Sequence, residues 1–286
     1  MTLFLASASA EHGPVLPMDA PVIWDTGFFP ITNSMIYAWI IGLLIFIVLK
    51  VATYRMQEVP TGIQNFVEMT VEWLQNFAGG LLEPKVMNWA FPLVATYFIF
   101  ILLSNLMGLL PGVGSLGYGE PDPNSLLPFA LKHADTPFFR PPTADANMTI
   151  AMGIVFFVMS TWWAIKYNGV GGLIHHLFGV KGGSKGLMFI LLSVIFLMVG
   201  LIEMISIMIR PIALAMRLYG NVYGGESVLT IMLHLLPYGL AAVPFYFFEL
   251  IICVVQSLVF TILCMAFIGS LCSHSEEHEE GAEGSH

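Results

Sequence analysis

IFLMVGLIEMISIMIRPIALAMRLYGNVYGGE, residues 195–226, is an apolar run broken along a single line by Glu203, Arg210 and Arg217. The three are seven residues apart, which on an α-helix leaves them on one stripe that drifts by about 20° per step. Ser206 lies four residues before Arg210 and Asn221 four after Arg217, so both extend the same polar line. An arginine at the centre of a bilayer costs roughly 3 to more than 10 kcal/mol, depending on how far water and bilayer deformation relieve it. A charge retained at that cost is a charge in use. Arg210, next to the helix-kinking Pro211, also has a structural reading as an ion-paired or snorkelling side chain.

The whole chain fits a bilayer. Of 286 residues, 57% are hydrophobic and 10% charged, against about 25% charged in an ordinary soluble domain. The net charge of −9 comes from the ends and loops, and no basic cluster is long enough to track phosphates, which excludes a nucleic-acid partner. Cys253, Cys264 and Cys272 have no paired spacing and read as small apolar packers. The first residues, MTLFLASASAEHG, have too short an apolar core and no preceding basic residue for a signal peptide, and are taken as a tail.

Uncharged runs of bilayer length, about 20 residues, occur at 34–53, 91–112 and 146–165, followed by two longer stretches at about 186–235 and 241–272. Tyr37, Trp39 and a snorkelling Lys50 flank or end the first. Between the first two, Ile63, Phe66, Val67, Val71, Leu74 and Phe77 recur at helical spacing, with Gln64, Glu68, Glu72 and Gln75 facing away. This predicts an amphipathic helix at about 61–77 lying in the membrane interface. Five crossings put Lys50, Arg55, Lys85, Lys166, Lys181 and Lys185 on one side and Lys132 and Arg140 on the other. The majority side is cytoplasmic, which leaves the N-terminus outside. The expectation is an all-α membrane protein of about five membrane-embedded helices plus one interfacial helix: residues 1–33 external, 34–272 a single membrane domain in the lipid bilayer, and 273–286 an acidic cytoplasmic tail.

The last stretch complements the first one quoted. In FYFFELIICVVQSLVF, Glu249 and Gln256 are again seven apart on one face. A hairpin of the last two helices, about 186–272, brings Glu226, His234 and Glu249 toward one membrane half and Gln256 toward Arg217. Proton-exchanging groups then stand on one side of a permanent cation, with polar side chains beyond it. Gly220, Gly224 and Gly225, with Ala213 and Ala215, form a small-residue surface suited to close packing by another helix.

Other motifs carry less. GVGSLG, residues 112–117, satisfies a dinucleotide pattern but follows a membrane helix without strand or crossover. HSEEH, residues 274–278, matches an inverted zinc-protease pattern within a polar tail, and NMT, residues 147–149, abuts a membrane helix where a glycan has little room. No cofactor or metal is expected. A secondary transporter or antiporter with intramembrane Arg and Glu is the alternative, but such folds carry polar breaks in both halves, and here these are confined to the C-terminal half.

RPIALAMRLYGNVYGGE resembles the signature of subunit a of the F-type ATP synthase membrane sector. LIEMIS (201–206), PPTADANMT (141–149), SNLMGLLPG (104–112) and VVQS (254–257) match the family in the same order. The resemblance runs from about residue 34 into the tail. It implies a non-catalytic, proton-translocating stator subunit of the bacterial inner membrane, with no ATP chemistry in this chain. The last two helices then form a long tilted hairpin against the rotor ring of c subunits, with peripheral-stalk b subunits and the rest of the synthase as partners. Arg217 corresponds to the family's essential arginine, which separates two offset half-channels. Asn221, Glu226, Glu249 and Gln256 match channel and arginine-supporting positions, and Glu203 and Ser206 match polar positions on the inner exit side. Some relatives have His where Glu249 stands. Which of Glu226 and Glu249 relays the proton, and whether His234 assists, stays open. Gly108 stands where some members have Asp, and the outer loop at about 113–145 is longer than in other members.

Overall fold

A computed structural model describes residues 20–25, 30–110, 117–121, 131–137, 140–178, 187–235 and 242–272. Among them are six α-helices: α1 (Asn33–Thr53), α2 (Ile63–Gly79), α3 (Pro84–Gly108), α4 (Ala146–Phe178), α5 (Leu187–Leu235) and α6 (Ala242–Cys272). Two antiparallel hairpins complete the inventory, β1 (Val22–Asp25) with β2 (Pro30–Thr32) and β3 (Gly117–Pro121) with β4 (Leu131–Pro137). All the helices except α2 contain a segment long and apolar enough to cross a membrane. The chain is an all-α membrane protein with five such spans. The second span starts earlier than its apolar run, because Pro84 suits the first turn of a helix and Lys85 is carried inside it.

Sequence chemistry sets where the helices stop. α4 crosses over Ala146–Lys166, and Gly169, at φ 68°, breaks it soon after, a conformation open to glycine. Lys50 and Lys166, at the C-terminal ends of the spans in α1 and α4, lie over the rings of Phe46 and Trp162 one turn back, at 5.7 and 5.4 Å. The apolar part of α5, Ser193–Met232, is 40 residues long. At 1.5 Å per residue that is ~60 Å of helix against ~30 Å of hydrocarbon, so it stays immersed only when inclined by about 60° from the membrane normal.

The chain forms two compact units, one of residues 1–54, 99–149 and 217–258 and one of 55–98, 150–216 and 259–286. The second is built on rings. Trp89 meets Trp163 at 4.5 Å, Tyr97 meets Phe260 at 5.6 Å, and the Tyr97 hydroxyl donates to the Met152 carbonyl at 3.0 Å. α2 belongs to this unit and exposes Ile63, Phe66, Met69 and Trp73. One part of its expected pattern is wrong. Gln64 is buried, because its amide donates to the Gln57 carbonyl at 3.0 Å and to Glu68 at 2.8 Å while accepting from the Gln57 N–H. A polar side chain that closes the preceding turn is better placed inward than in water.

The closest helix approach in this unit is at Gly153 of α4. A Cβ there would stand 2.9 Å from the Pro211 carbonyl oxygen and 3.2 Å from the Ala215 Cβ of α5. Backbone cannot yield as a flexible side chain can. Gly153→Val is expected to cost about 1–3 kcal/mol, read as a lower thermal unfolding midpoint in detergent. Gly171→Ala, where nothing lies within 4 Å, should stay within about 0.5 kcal/mol of the parent. Equal melting of the two variants would remove the close-approach argument.

Candidate functional site

The polar residues of the last two helices meet within the first unit, between α5 from Arg217 and α6 up to Leu258. Glu249, Cys253 and Gln256, at steps of four and three, form a buried stripe of α6; Glu249 is 7% and Gln256 4% exposed. Phe247, Phe248, Ile251 and Val255 take the opposite, exposed face. The helix is thus turned with its polar line inward and its apolar line toward lipid. The Asn221 amide nitrogen donates to the Gln256 side-chain oxygen at 2.6 Å. The partner of Gln256 is therefore Asn221, one turn beyond Arg217. The Gln256 amide nitrogen is buried without an acceptor among the described residues.

Further along the same pairing, Gly225 faces Glu249. A Cβ at Gly225 would overlap the Glu249 carboxylate, so the missing side chain lets the carboxyl lie against the backbone of α5. Glu226 follows at once in α5. A cavity of 260 Å³ opens here, with Asn221, Gly225, Phe245, Phe248 and Glu249 in its wall. At about 30 Å³ per molecule, it has room for a short file of water.

The structure adds a second polar group that the sequence did not single out. Asp145 caps α4 by accepting from the Asn147 N–H at 3.0 Å, and its other oxygen accepts from Ser34 of α1 at 2.5 Å. Thr143 donates to Asn105 of α3 at 2.7 Å, and the Tyr37 hydroxyl of α1 donates to the Met107 carbonyl at 2.9 Å. Ser34, Asn105, Thr143 and Asp145 are all buried. Asn105, Thr143 and Asp145 sit in the quoted motifs SNLMGLLPG and PPTADANMT, and Ser34 lies outside them, but none has a periodic polar line to betray it; a capping Asp before an apolar run is the one signal that was readable. Gly108 also gains a reason, since a side chain there would collide with the ring of Pro141.

Arg140, expected among the charges of the outer side, is 1% exposed. Its guanidinium donates to the Ala144 carbonyl at 3.2 Å, in the tight turn Pro142–Ala144 that leads into α4.

Arg217 differs from all of these. It is exposed, flanked by exposed Met216 and Gly220, and Ile209 and Ile212 precede it on the same helix. The remaining members of the polar line, Glu203, Ser206 and Arg210, belong to the second unit and are half-buried. There the Arg210 guanidinium lies over the Phe267 ring at 5.2 Å, which fits its structural reading. His234 falls within α5, but its side chain is outside the described residues, as are residues 112–116 of the GVGSLG motif and the HSEEH tail.

Two adjacent glycines test the geometry. Gly225→Ala displaces the Glu249 carboxyl, the far end of a flexible side chain, so it is expected to cost only about 0.5–1 kcal/mol of stability. Gly224→Ala, with nothing within 4 Å, should be neutral or gain up to about 1 kcal/mol from helix propensity. Thermal melts of the two variants that coincide would refute the placement of Glu249 against Gly225.

Comparison with known proteins identifies the family. The sequence profile of the ATP synthase A chain matches residues 35–269. ATP synthase subunit a of Trichlorobacter lovleyi is 32% identical over 240 residues, covering 84% of this chain and 87% of its own. That of Aeromonas salmonicida is 31% identical over 259 residues, 88% and 91% of the two chains, and that of Geobacter sulfurreducens 32% over 240 residues, 84% and 87%. With its five apolar spans and this profile match over most of its length, the chain belongs to the ATP synthase A chain family, as a multi-pass membrane subunit of the F-type ATP synthase.

Proposed function

We propose that this chain is the proton-translocating stator subunit of its synthase, with Arg217 separating two offset half-channels at the face presented to a ring of c subunits. The observation that carries the reading is Arg217 itself, an arginine exposed on a helix that must lie in lipid. Met216, Gly220 and Asn221 beside it are exposed as well, whereas Leu214, Ala215, Leu218 and Tyr219 are buried, so one face of α5 is uncovered here among the described residues. Lipid can cover Met216 and Ile212, but a guanidinium needs an anion or polar partner. A membrane carboxylate carried by a c subunit is such a partner, and open space at Gly220 and Gly224 allows its helix to come close.

The chemistry follows from the side chains. A guanidinium stays protonated, so it cannot relay a proton, and its field favours the ionised form of a passing carboxylate. It blocks a direct leak and promotes release. Asn221 and Gln256, bonded to each other one turn away, brace this position. The outer path runs through Glu226 and Glu249, with His234 assigned to it by its position in the sequence; Glu203 and Ser206 line the inner exit. Protons descending the membrane potential deliver about 2.3 kcal/mol per charge per 100 mV. No step of ATP chemistry belongs to this chain. It sits in a bacterial inner membrane with the N-terminus outside and the tail of residues 273–286 in the cytoplasm, and b subunits of the peripheral stalk hold it against rotation.

In liposomes carrying the whole synthase, Arg217→Ala should lower ATP-driven acidification by about a hundredfold or more, while the detached head still hydrolyses ATP. Pumping near the parent rate would sink the separator reading.

A further inference from the structure

The cavity of 260 Å³ between α5 and α6 owes its space to absent side chains. Gly224 and Gly225 leave bare backbone in its α5 wall; a Cβ at Gly224 would meet nothing within 4 Å, and one at Gly225 would meet first the Glu249 carboxyl. Val228 and Leu229 continue that wall one turn on. From α6 come Phe245, Phe248, Glu249 and Ile252, which at steps of three, one and three share one flank of the helix. Most of the lining is therefore apolar, and two of its side chains are aromatic rings one turn apart.

Two polar side chains interrupt this lining. Asn221 is already bonded to Gln256. Glu249 is 7% exposed, and among the described residues no hydrogen bond or ion pair engages its carboxyl. A buried carboxylate without a partner is costly in an apolar wall, and a cation that brings its own apolar body relieves that cost. The wall also discriminates among cations. A metal ion of the calcium or magnesium type asks for about six oxygen ligands, whereas the described wall supplies one carboxyl and one amide. A protonated amine is satisfied by a single carboxylate through a charge-assisted hydrogen bond. An aromatic ring on that amine packs offset or edge-on against the two phenylalanines. An apolar cavity of about 150 Å³ holds benzene, so the 260 Å³ here have room for one ring and a short aminoalkyl arm.

We propose that this cavity is a binding site for a small arylalkyl ammonium, with the nitrogen on the Glu249 carboxylate and the ring against Phe245 and Phe248. Bound there, the ligand takes the space of the file of water and closes the cavity to protons. That consequence rests on the reading of the α5–α6 hairpin as a proton path; the binding itself depends only on the shape and charge of the wall.

The test adds para-fluorophenethylamine, protonated at neutral pH, to the purified intact synthase in detergent and follows its fluorine NMR line width; para-fluorophenethyl alcohol is the uncharged counterpart. Partition into detergent does not saturate, whereas a site does. Expected is saturable broadening with the amine, and affinity lower by about tenfold or more both for the alcohol and for the amine with Glu249→Gln. Gly224→Leu, whose side chain would fill the open wall, should abolish saturable binding. Both variants are checked for the amount of subunit a that copurifies with the complex. The proposal is overturned by a parent that shows no saturable binding, by an alcohol bound as tightly as the amine, or by a Glu249→Gln affinity within about twofold of the parent. The comparison of amine with alcohol needs no variant, so it decides even where neither variant assembles: preference for the amine supports the site, and equal binding refutes it. Proton flux through the head-stripped complex in liposomes, under an imposed potential, separates the two readings. Flux that falls over the amine concentrations that saturate binding supports the block, whereas flux untouched by bound amine overturns the route of protons through this cavity and leaves the site standing.

Discussion

Hydrocarbon tolerates a polar side chain only when another group answers it, and the placement of nearly every polar residue in this fold follows from that rule. Asp145 is answered twice, by the first turn of α4 and by Ser34 of α1. Asn105 is met by Thr143, and Asn221 by Gln256. Each pair joins elements far apart in the chain, so satisfying a polar group and fixing a helix position are the same event. Arg217 is the contrasting case, an arginine that stays exposed on α5 among the described residues.

Glycine and proline adjust how close these groups come. Gly225 admits the Glu249 carboxyl to the surface of α5, and Gly108 yields its side-chain space to Pro141, which leads directly from Arg140. Gly224, one residue from Gly225, meets nothing. Both glycines of YGGE line the same cavity, Gly225 in contact with Glu249 and Gly224 with space in front of it.

The helical spans were legible because hydropathy over about 20 residues reports a solvent, not a contact. Where the reading slipped, local patterning met a tertiary demand. Gln64 matched the polar face of an amphipathic helix, but the turn at Gln57 needed its amide. Arg140 was expected among the charges of the outer side, and its burial beside the turn at Pro142 had no trace in local patterning. Ser34, Asn105 and Thr143 were each a lone polar residue in an apolar neighbourhood, a signal too common to weigh until the structure paired them.

The sequence by itself determined the solvent, the number of apolar spans and the polar line of α5, because a period of 3.6 residues and a count of charges are properties of one segment. It also fixed that Glu249 and Gln256 share a face of α6. Only the tertiary structure decided that Asn221, and not Arg217, bonds Gln256, that Glu249 rests on Gly225, and that Arg140 is buried. Those facts depend on the register between helices distant in the chain, which is set by close packing and by the pairing of buried polar groups, and neither leaves a periodic trace in any one segment.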